Sequence, residues 1–133
     1  MSTKSNCVLL ADRHHGLRDS VRGLLEAQFD TVFMVATEAA LLEGAKRLQP
    51  AVVIFDLSMS HGDLSGLVAR VRTGAADAKV LLLSVHDERT VAESALLAGA
   101  DAVVLKRSLA SDLMPAVYAV LAGNRFISPD IGR

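Results

Sequence analysis

Four polar side chains follow short apolar runs of this 133-residue chain, and their chemistry suits phosphoryl transfer. They are Asp12 after CVLLA, Asp56 at the end of AVVIFD, Ser84 at the end of KVLLLS and Lys106 after AVVL. A carboxylate can attack phosphorus as a nucleophile, and the transfer then depends mainly on neutralising charge. A lysine supplies a point charge, and a serine hydroxyl can donate a hydrogen bond to a phosphoryl oxygen. Taken alone, each residue is also common as a capping, turn or surface residue, so its meaning depends on whether the fold brings the four together.

Five apolar runs provide the elements that would position these side chains. The runs are nearly continuous rather than alternating, which is typical of parallel strands covered on both faces. They are residues 7–11, 31–36, 51–55, 79–84 and 102–105. Helical patterns separate them, so right-handed β-α units are expected to build an open parallel sheet. We predict an α/β, flavodoxin-like fold with strand order 2-1-3-4-5 and helices on both faces. Ligands of such sheets bind beyond the carboxyl ends of the strands, where the four side chains stand.

Local signals set the expected helix ends. Thr37 is a candidate N-cap for the second helix, and Gly99 and Gly123 are candidate C-terminal stops. Pro115 is awkward inside the last helix and predicts either a start near Ser111 or a kink.

Composition excludes some classes of function. Hydrophobic residues make up 51% of the chain, and 14 basic residues balance 15 acidic ones. This balance gives no electrostatic reason for direct binding to nucleic acid or to a membrane. No apolar stretch approaches the roughly 18 residues of a membrane span, so we expect a cytoplasmic protein. The single cysteine, Cys7, cannot form an internal disulfide and is expected to be buried.

The histidines suggest two other sites, and the spacing disfavours both. His14, His15, His61 and His86 match no standard zinc ligand spacing. The stretch DRHHG approaches the D-x-H-x-x-G motif of cobalamin-binding domains, but Gly16 comes one residue too early. A loop histidine beside the first acid could titrate near neutral pH, although solvated loop histidines are the simpler interpretation.

Taken together, VVIFDLSM, LLLSVHD and GADAVVLK resemble the motifs of a response regulator receiver domain, and the resemblance covers nearly all of the chain. The resemblance implies that Asp56 is the phosphoacceptor and that Ser84 and Lys106 contact the phosphoryl group. It also implies a Mg²⁺ ion held by Asp12, Asp56 and the backbone carbonyl of Ser58. A sensor histidine kinase would then be the phosphoryl donor.

The stretch AVLAGNRFISP is similar to the last helix and linker of NarL/FixJ (LuxR-type) transcriptional regulators. The resemblance implies a receiver domain over residues 1–122 and, over 123–133, the start of a linker to a helix-turn-helix domain that is not in this chain. The chain would be either a piece of such a regulator or a stand-alone receiver. The implied assembly is a homodimer that reaches DNA only through the output domain and has no membrane contact. The expected readout is either the surface of residues 88–122 or the pairing of the first and last helices.

Three positions depart from the family pattern. Arg13 stands where the family has the second acid, which touches the metal. Val103 stands where the family usually has a Tyr or Phe that acts as a rotameric switch. In MSHGDLSG, Ser60 replaces the usual Pro, and Gly66 lies ten residues after Asp56 rather than eight, which predicts a longer loop.

Arg13 leaves two outcomes open. Its guanidinium could pair with Asp12 or Asp56, stand in for the metal's charge and suppress Mg²⁺ binding. Alternatively it could point to solvent, so that Asp12, Asp56 and the Ser58 carbonyl still hold Mg²⁺ weakly. Sequence does not choose between them because the arginine side chain is long and flexible.

Three functions follow from these residues. The first is a receiver domain that accepts a phosphoryl group on Asp56 and controls a DNA-binding output. The second is a pseudo-receiver that acts as a phosphorylation-independent dimerisation or protein-interaction module. The third is a phosphatase on the same fold, which is disfavoured because Ser58 stands where a general acid would be needed. We therefore expect a signalling domain and not an enzyme.

Overall fold

The described residues form one six-stranded sheet. The computed structural model describes residues 6–13 and 15–133, with residues 15–18 as helical backbone. The strands are β1 (Cys7–Ala11), β2 (Thr31–Val35), β3 (Val52–Asp56), β4 (Lys79–Ser84), β5 (Ala102–Leu105) and β6 (Phe126–Ile127). They are all parallel and lie in the order β2-β1-β3-β4-β5-β6. The flavodoxin-like prediction and the order of the first five strands are confirmed, and β6 is an additional strand.

Five helices cover the two faces of the sheet. They are α1 (His15–Leu25), α2 (Glu38–Leu48), α3 (Leu64–Gly74), α4 (Arg89–Leu97) and α5 (Leu109–Leu121). Short 3-10 helices follow two strands, at Leu57–Ser60 after β3 and Lys106–Ser108 after β5. One core layer packs α2, α3 and α4 on the sheet, and the other packs α1 and α5. Alternate strand residues therefore face opposite cores, which explains the continuous apolar runs.

The predicted helix signals hold at the start of α2 and at the ends of α4 and α5, where Gly123 has φ 86° two residues past the end of α5. Thr37 caps α2, because its hydroxyl oxygen accepts a hydrogen bond from the backbone amide of Ala40 at 3.1 Å. Gly99 lies two residues past the end of α4 with φ 111°, a conformation that favours glycine.

The last helix differs from its prediction. α5 begins at Leu109, two residues before Ser111, and Pro115 lies inside it. The helix therefore starts earlier than predicted, and the alternative, a kink at Pro115, stays a prediction. The Pro115 ring is exposed, and the apolar face of the helix, which includes Leu113 and Val117, is fully buried. Burial of that face supports the helix across the position where proline cannot donate.

The C-terminal stretch is more ordered than its composition indicates. Phe126 and Ile127 pair with Ala102 and Val103 of β5, and Ile131 is buried in the core on the α4 face. The stretch 123–133 thus contributes a strand and a core residue to the domain. That it begins a linker stays a prediction.

Two smaller expectations concern burial and membrane contact. Cys7 is buried, as predicted, and forms no disulfide. Among the helices in the described part of the chain, none has both the length and the apolar character to cross a membrane.

Candidate functional site

The register of the parallel strands brings the predicted side chains to one edge. Ala11 of β1 lies opposite Phe55 of β3, so Asp12 and Asp56 occupy adjacent positions one step further on. Asp56 lies opposite Leu83 of β4, which places Ser84 next along the edge. Ser84 lies opposite Leu105 of β5, and Lys106 follows directly. Four segments that are distant in sequence therefore meet at the carboxyl end of the sheet.

Lys106 links the two acids. Its ammonium group contacts Oδ2 of Asp56 and lies 3.6 Å from Oδ2 of Asp12. Asp12 is 1% exposed and Asp56 is 7% exposed, so both carboxylates are largely removed from water. Burial of a charged group is costly without an opposite charge nearby, and Lys106 places its ammonium group beside both side chains. We call Asp12, Asp56 and Lys106 the acid pocket.

The environment of Asp56 favours its ionised form. Burial alone would raise the pKa of its carboxyl group, but contacts with Lys106 and Ser58 outweigh that effect and hold the pKa below its ordinary value. Oδ1 accepts a hydrogen bond from the backbone amide of Ser58 at 2.7 Å, which also caps the 3-10 helix after β3. Asp56 is thus a deprotonated carboxylate at neutral pH, the state that a nucleophile requires.

We call the exposed pair of His61 and Arg13 the mouth of the acid pocket, and Arg13 turns to His61 there. The residue is exposed, and its Nη2 lies 3.4 Å from Nε2 of His61, to which it donates when that ring nitrogen carries no proton. Asp56 takes Lys106 as its cation instead. The structure therefore resembles the second of the two arrangements expected for Arg13, with one addition. The guanidinium joins the loop after β1 to the loop after β3.

Ser84 is buried, and its hydroxyl is turned to the loop that follows it. Ser84 Oγ accepts a hydrogen bond from the backbone amide of His86 at 2.9 Å and donates to the carbonyl of the same residue at 3.2 Å. To reach a phosphoryl group on Asp56, the hydroxyl would have to leave these two bonds. The Ser84 hydroxyl thus has both a donor and an acceptor within its own loop.

Val103 is packed in the core. It is 1% exposed and belongs to the same apolar cluster as Ala92 and Ala95 of α4. A larger ring at this position would have to displace its neighbours. A readout through this position would require movement of strand or helix backbone.

A cleft opens on Asp56 between the loop after β3 and α4. Its volume is about 490 Å³, and its walls include the hydroxyl-bearing Ser60, Thr90 and Ser94. Val85, which is 69% exposed, stands on its rim. Val85 is not among the predicted site residues, although its place directly after Ser84 is a usable signal.

The oxygen groups near Asp56 fit Mg²⁺ in kind, with a reduced number of ligands. Among the residues that the structure describes, no three His, Cys, Asp or Glu side chains converge on a common metal position. Two carboxylates, from Asp12 and Asp56, and the carbonyl of Ser58 remain. Mg²⁺ is often held by one or two carboxylates with waters completing the octahedron. The Ser58 carbonyl already accepts a long hydrogen bond, 3.4 Å, from the amide of His61, but an oxygen has a second lone pair.

The histidines of the described part of the chain do not gather. His61 contacts Arg13, and His86 Nδ1 lies 3.8 Å from Oε2 of Glu88. His14 lies outside the described residues, so its titration beside Asp12 stays a prediction. The side chain of His15 is likewise outside them.

Comparison with known proteins identifies the family. A profile of the response regulator receiver domain matches residues 8–118. The chain belongs to the response regulator receiver domain family. Its relatives are response regulators of the NarL/LuxR type, and receiver domains of this kind are signalling proteins rather than enzymes.

Individual relatives agree with this assignment. Response regulator UvrY of Escherichia coli O6:H1 is 31% identical over 132 residues, covering 95% of this chain and 59% of that protein. Oxygen regulatory protein NreC of Staphylococcus carnosus is 32% identical over 127 residues, covering 92% of this chain and 58% of that protein. The chain thus spans less than two thirds of these relatives. A LuxR-family two-component response regulator from Aurantimonas sp. SI85-9A1 has a similar structure, with a TM-score of 0.82 and 28% identity. The match covers 94% of this chain and 91% of that one.

The family assignment gives the acid pocket a context. Receiver domains generally bind Mg²⁺ in this pocket. Response regulators of this type interact with histidine kinases, and with DNA through output domains.

Proposed function

We propose that the domain accepts a phosphoryl group on Asp56 from a sensor histidine kinase and controls a DNA-binding transcriptional output. The observation that supports this most is the acid pocket, in which Lys106 contacts Asp56 and approaches Asp12 at the edge that also carries Ser84. Charge neutralisation is the main demand of phosphoryl transfer, and these residues provide the positive charge beside the nucleophile.

The proposed step is a displacement at phosphorus. A carboxylate oxygen of Asp56 forms the new bond to phosphorus, while the bond from phosphorus to the donor's imidazole nitrogen breaks and its electron pair leaves with that nitrogen. Both Asp56 oxygens are engaged, one by the Ser58 amide and one by Lys106. Lys106 would therefore shift from the carboxylate to the phosphoryl oxygens. Ser84 would turn from His86 to the same group.

Mg²⁺ would be held by Asp12, Asp56 and the Ser58 carbonyl. When bound, it supplies further charge neutralisation for the phosphoryl oxygens. Arg13 removes one acidic ligand and adds a positive charge near the mouth, so we propose a weaker metal site than one with two acids after β1.

The wider setting follows the family. We propose a homodimer in the cytoplasm, with a linker that begins within residues 123–133 and leads to a helix-turn-helix domain outside this chain. Contact with DNA would occur only through that domain.

A phosphorylation-independent interaction module is the second candidate, and two observations favour it. Arg13 replaces a metal-binding acid, and Val103 is a packed aliphatic residue in place of a mobile aromatic ring. A domain of this kind would be regulated by a partner rather than by phosphate.

Intact mass measurement separates the two candidates. The protein is incubated with acetyl phosphate, with and without Mg²⁺, beside an Asp56→Asn control. A mass gain of one phosphoryl group that requires both Mg²⁺ and Asp56 is expected. No gain at saturating Mg²⁺ would favour the interaction module. Recovery of the gain in Arg13→Asp would then identify the guanidinium as the cause.

A further inference from the structure

The C-terminal strand is bonded to the strand that carries the site lysine. Phe126 N donates to the carbonyl of Asp101 at 3.2 Å, and Ser128 N donates to that of Val103 at 3.0 Å. The next bond of the series uses a side chain. The hydroxyl oxygen of Ser128 accepts from the backbone amide of Leu105 at 2.9 Å. The segment 126–132, which we call the tail, thus follows β5 to its end.

The Ser128 hydroxyl is the hydrogen-bond acceptor for the buried amide of Leu105. Leu105 is fully buried, and Ser128 is 1% exposed, so water cannot replace the bond. A buried amide left without a partner is destabilising, which gives the local backbone a strong preference for the bonded position. Leu105 directly precedes Lys106. The hydroxyl therefore fixes the backbone from which the lysine side chain reaches Asp56 and Asp12.

The tail has a second attachment, on the loop after β4. The amide of Gly132 donates to the carbonyl of Asp87 at 2.8 Å, and the Asp87 carboxylate accepts from Arg107 at 3.2 Å. Ile131 is buried beside these bonds, in the core cluster that contains Val103. The tail is thus hydrogen-bonded both to the loop that follows Ser84 and to the end of β5.

We propose that Ser128 is a positioning residue of the acid pocket, which sets the place of Lys106 by holding the amide of Leu105, and that the tail moves with that lysine. The positioning role stands on the contacts alone. Its regulatory meaning rests on the proposed function. Phosphorylation would draw Lys106 from Asp56 to the phosphoryl oxygens and so strain the hydrogen bond between Ser128 and Leu105. The tail would then provide a readout that needs no aromatic ring at position 103.

The test follows the side-chain ammonium of Lys106 by nuclear magnetic resonance. Hydrogen exchange of this group is compared in the wild-type chain, Ser128→Ala, Ser128→Thr and Ser111→Ala, with exposed Lys46 as an internal reference. Thr keeps an acceptor oxygen, and Ser111 is an exposed serine of α5 whose loss leaves the tail intact. We expect exchange at Lys106 to be several-fold faster in Ser128→Ala alone. Lys46 should be unchanged in all four proteins.

Two results would overturn the inference. One is equal Lys106 exchange in Ser128→Ala and in the wild type. The other is an equal rise in Ser128→Ala and Ser128→Thr, because general loosening of the tail would not depend on the hydroxyl. Intact mass after acetyl phosphate treatment of the same four proteins keeps the questions separate. Absence of phosphorylation with a Ser128-dependent lysine signal contradicts the proposed function and supports the positioning role. Phosphorylation together with Lys106 exchange that does not depend on Ser128 supports the proposed function and contradicts the positioning role.

Discussion

The acid pocket and the β5 side of the site depart from the receiver pattern in different ways. In the acid pocket the buried charges are retained, and the change is at the exposed mouth, where Arg13 contacts His61. On the β5 side the change is internal, because Val103 is packed where a mobile ring is usual, and the tail is bonded alongside. Under the proposed function, the difference would mean that phosphoryl transfer and its readout meet separate physical demands. Phosphoryl transfer would need charges at fixed positions, whereas the readout would need only a backbone segment that can move.

Lys106→Ala is the strongest way to break the acid pocket. Two buried carboxylates would lose their counter-charge, and the phosphoryl oxygens would lose a donor. We expect the rate of phosphorylation by acetyl phosphate to fall about a hundredfold. Intact mass over time measures the rate, and Lys46→Ala on the exposed face of α2 is the control. An unchanged rate in Lys106→Ala would contradict the role given to the pocket.

Val103→Tyr tests whether the β5 side can accept the usual aromatic residue. Because Val103 is 1% exposed in a packed cluster, the ring should overpack the core and lower the free energy of unfolding by about 1–3 kcal/mol. Urea denaturation measures the change. Val85→Tyr, at a residue that is 69% exposed, should change it by less than about 0.5 kcal/mol. Equal effects of the two substitutions would show that packing does not limit position 103.

Arg13→Asp should make the acid pocket more like that of the family and so increase its difference from the β5 side. A third carboxylate replaces a positive charge at the mouth, and we expect the affinity for Mg²⁺ to rise about tenfold. Isothermal titration calorimetry measures the affinity. Arg125→Asp makes the same change of charge on an exposed residue of the C-terminal stretch. If both variants gain equally, the effect is one of net charge and not of the site.

The pH dependence of stability should report the Asp56–Lys106 pair. Burial opposes ionisation of Asp56, yet its contacts hold the pKa below the ordinary value of 3.8. The unfolded chain therefore binds more protons in this range than the folded one. The stabilisation is present above the ordinary pKa and is lost as the pH falls through the folded-state pKa. Urea unfolding of wild type and Lys106→Ala at a series of pH values should show their difference shrinking in acid. A constant difference would argue against the pair.

Much of the fold and of the site edge could be predicted from the sequence. Five strands were visible as apolar runs, and the parallel topology then placed Asp12, Asp56, Ser84 and Lys106 at one edge, as observed. These features follow from repeated local patterns and one general rule of sheet topology.

The remaining features depend on contacts that sequence patterns do not encode. β6 has two residues in a polar, Gly-bearing stretch, which is too short for a hydrophobic period. The role of Ser128 depends on which backbone amide of the neighbouring strand its hydroxyl contacts. The direction of Arg13 depends on a rotamer, and the start of α5 before Pro115 depends on burial of the face that contains Leu113.

The Lys106–Asp12 contact also bears on how the domain becomes competent as it folds. β1 and β5 are separated in the sheet by β3 and β4, and the two residues are 94 positions apart in the chain. Such non-local contacts form only after the intervening strands have assembled, because loop closure opposes them until then. A partly folded or still-growing chain thus carries the two acids without their cation. The acid pocket is completed in the same step as the sheet, so under the proposed function a phosphoryl donor would encounter a complete site only on a finished domain.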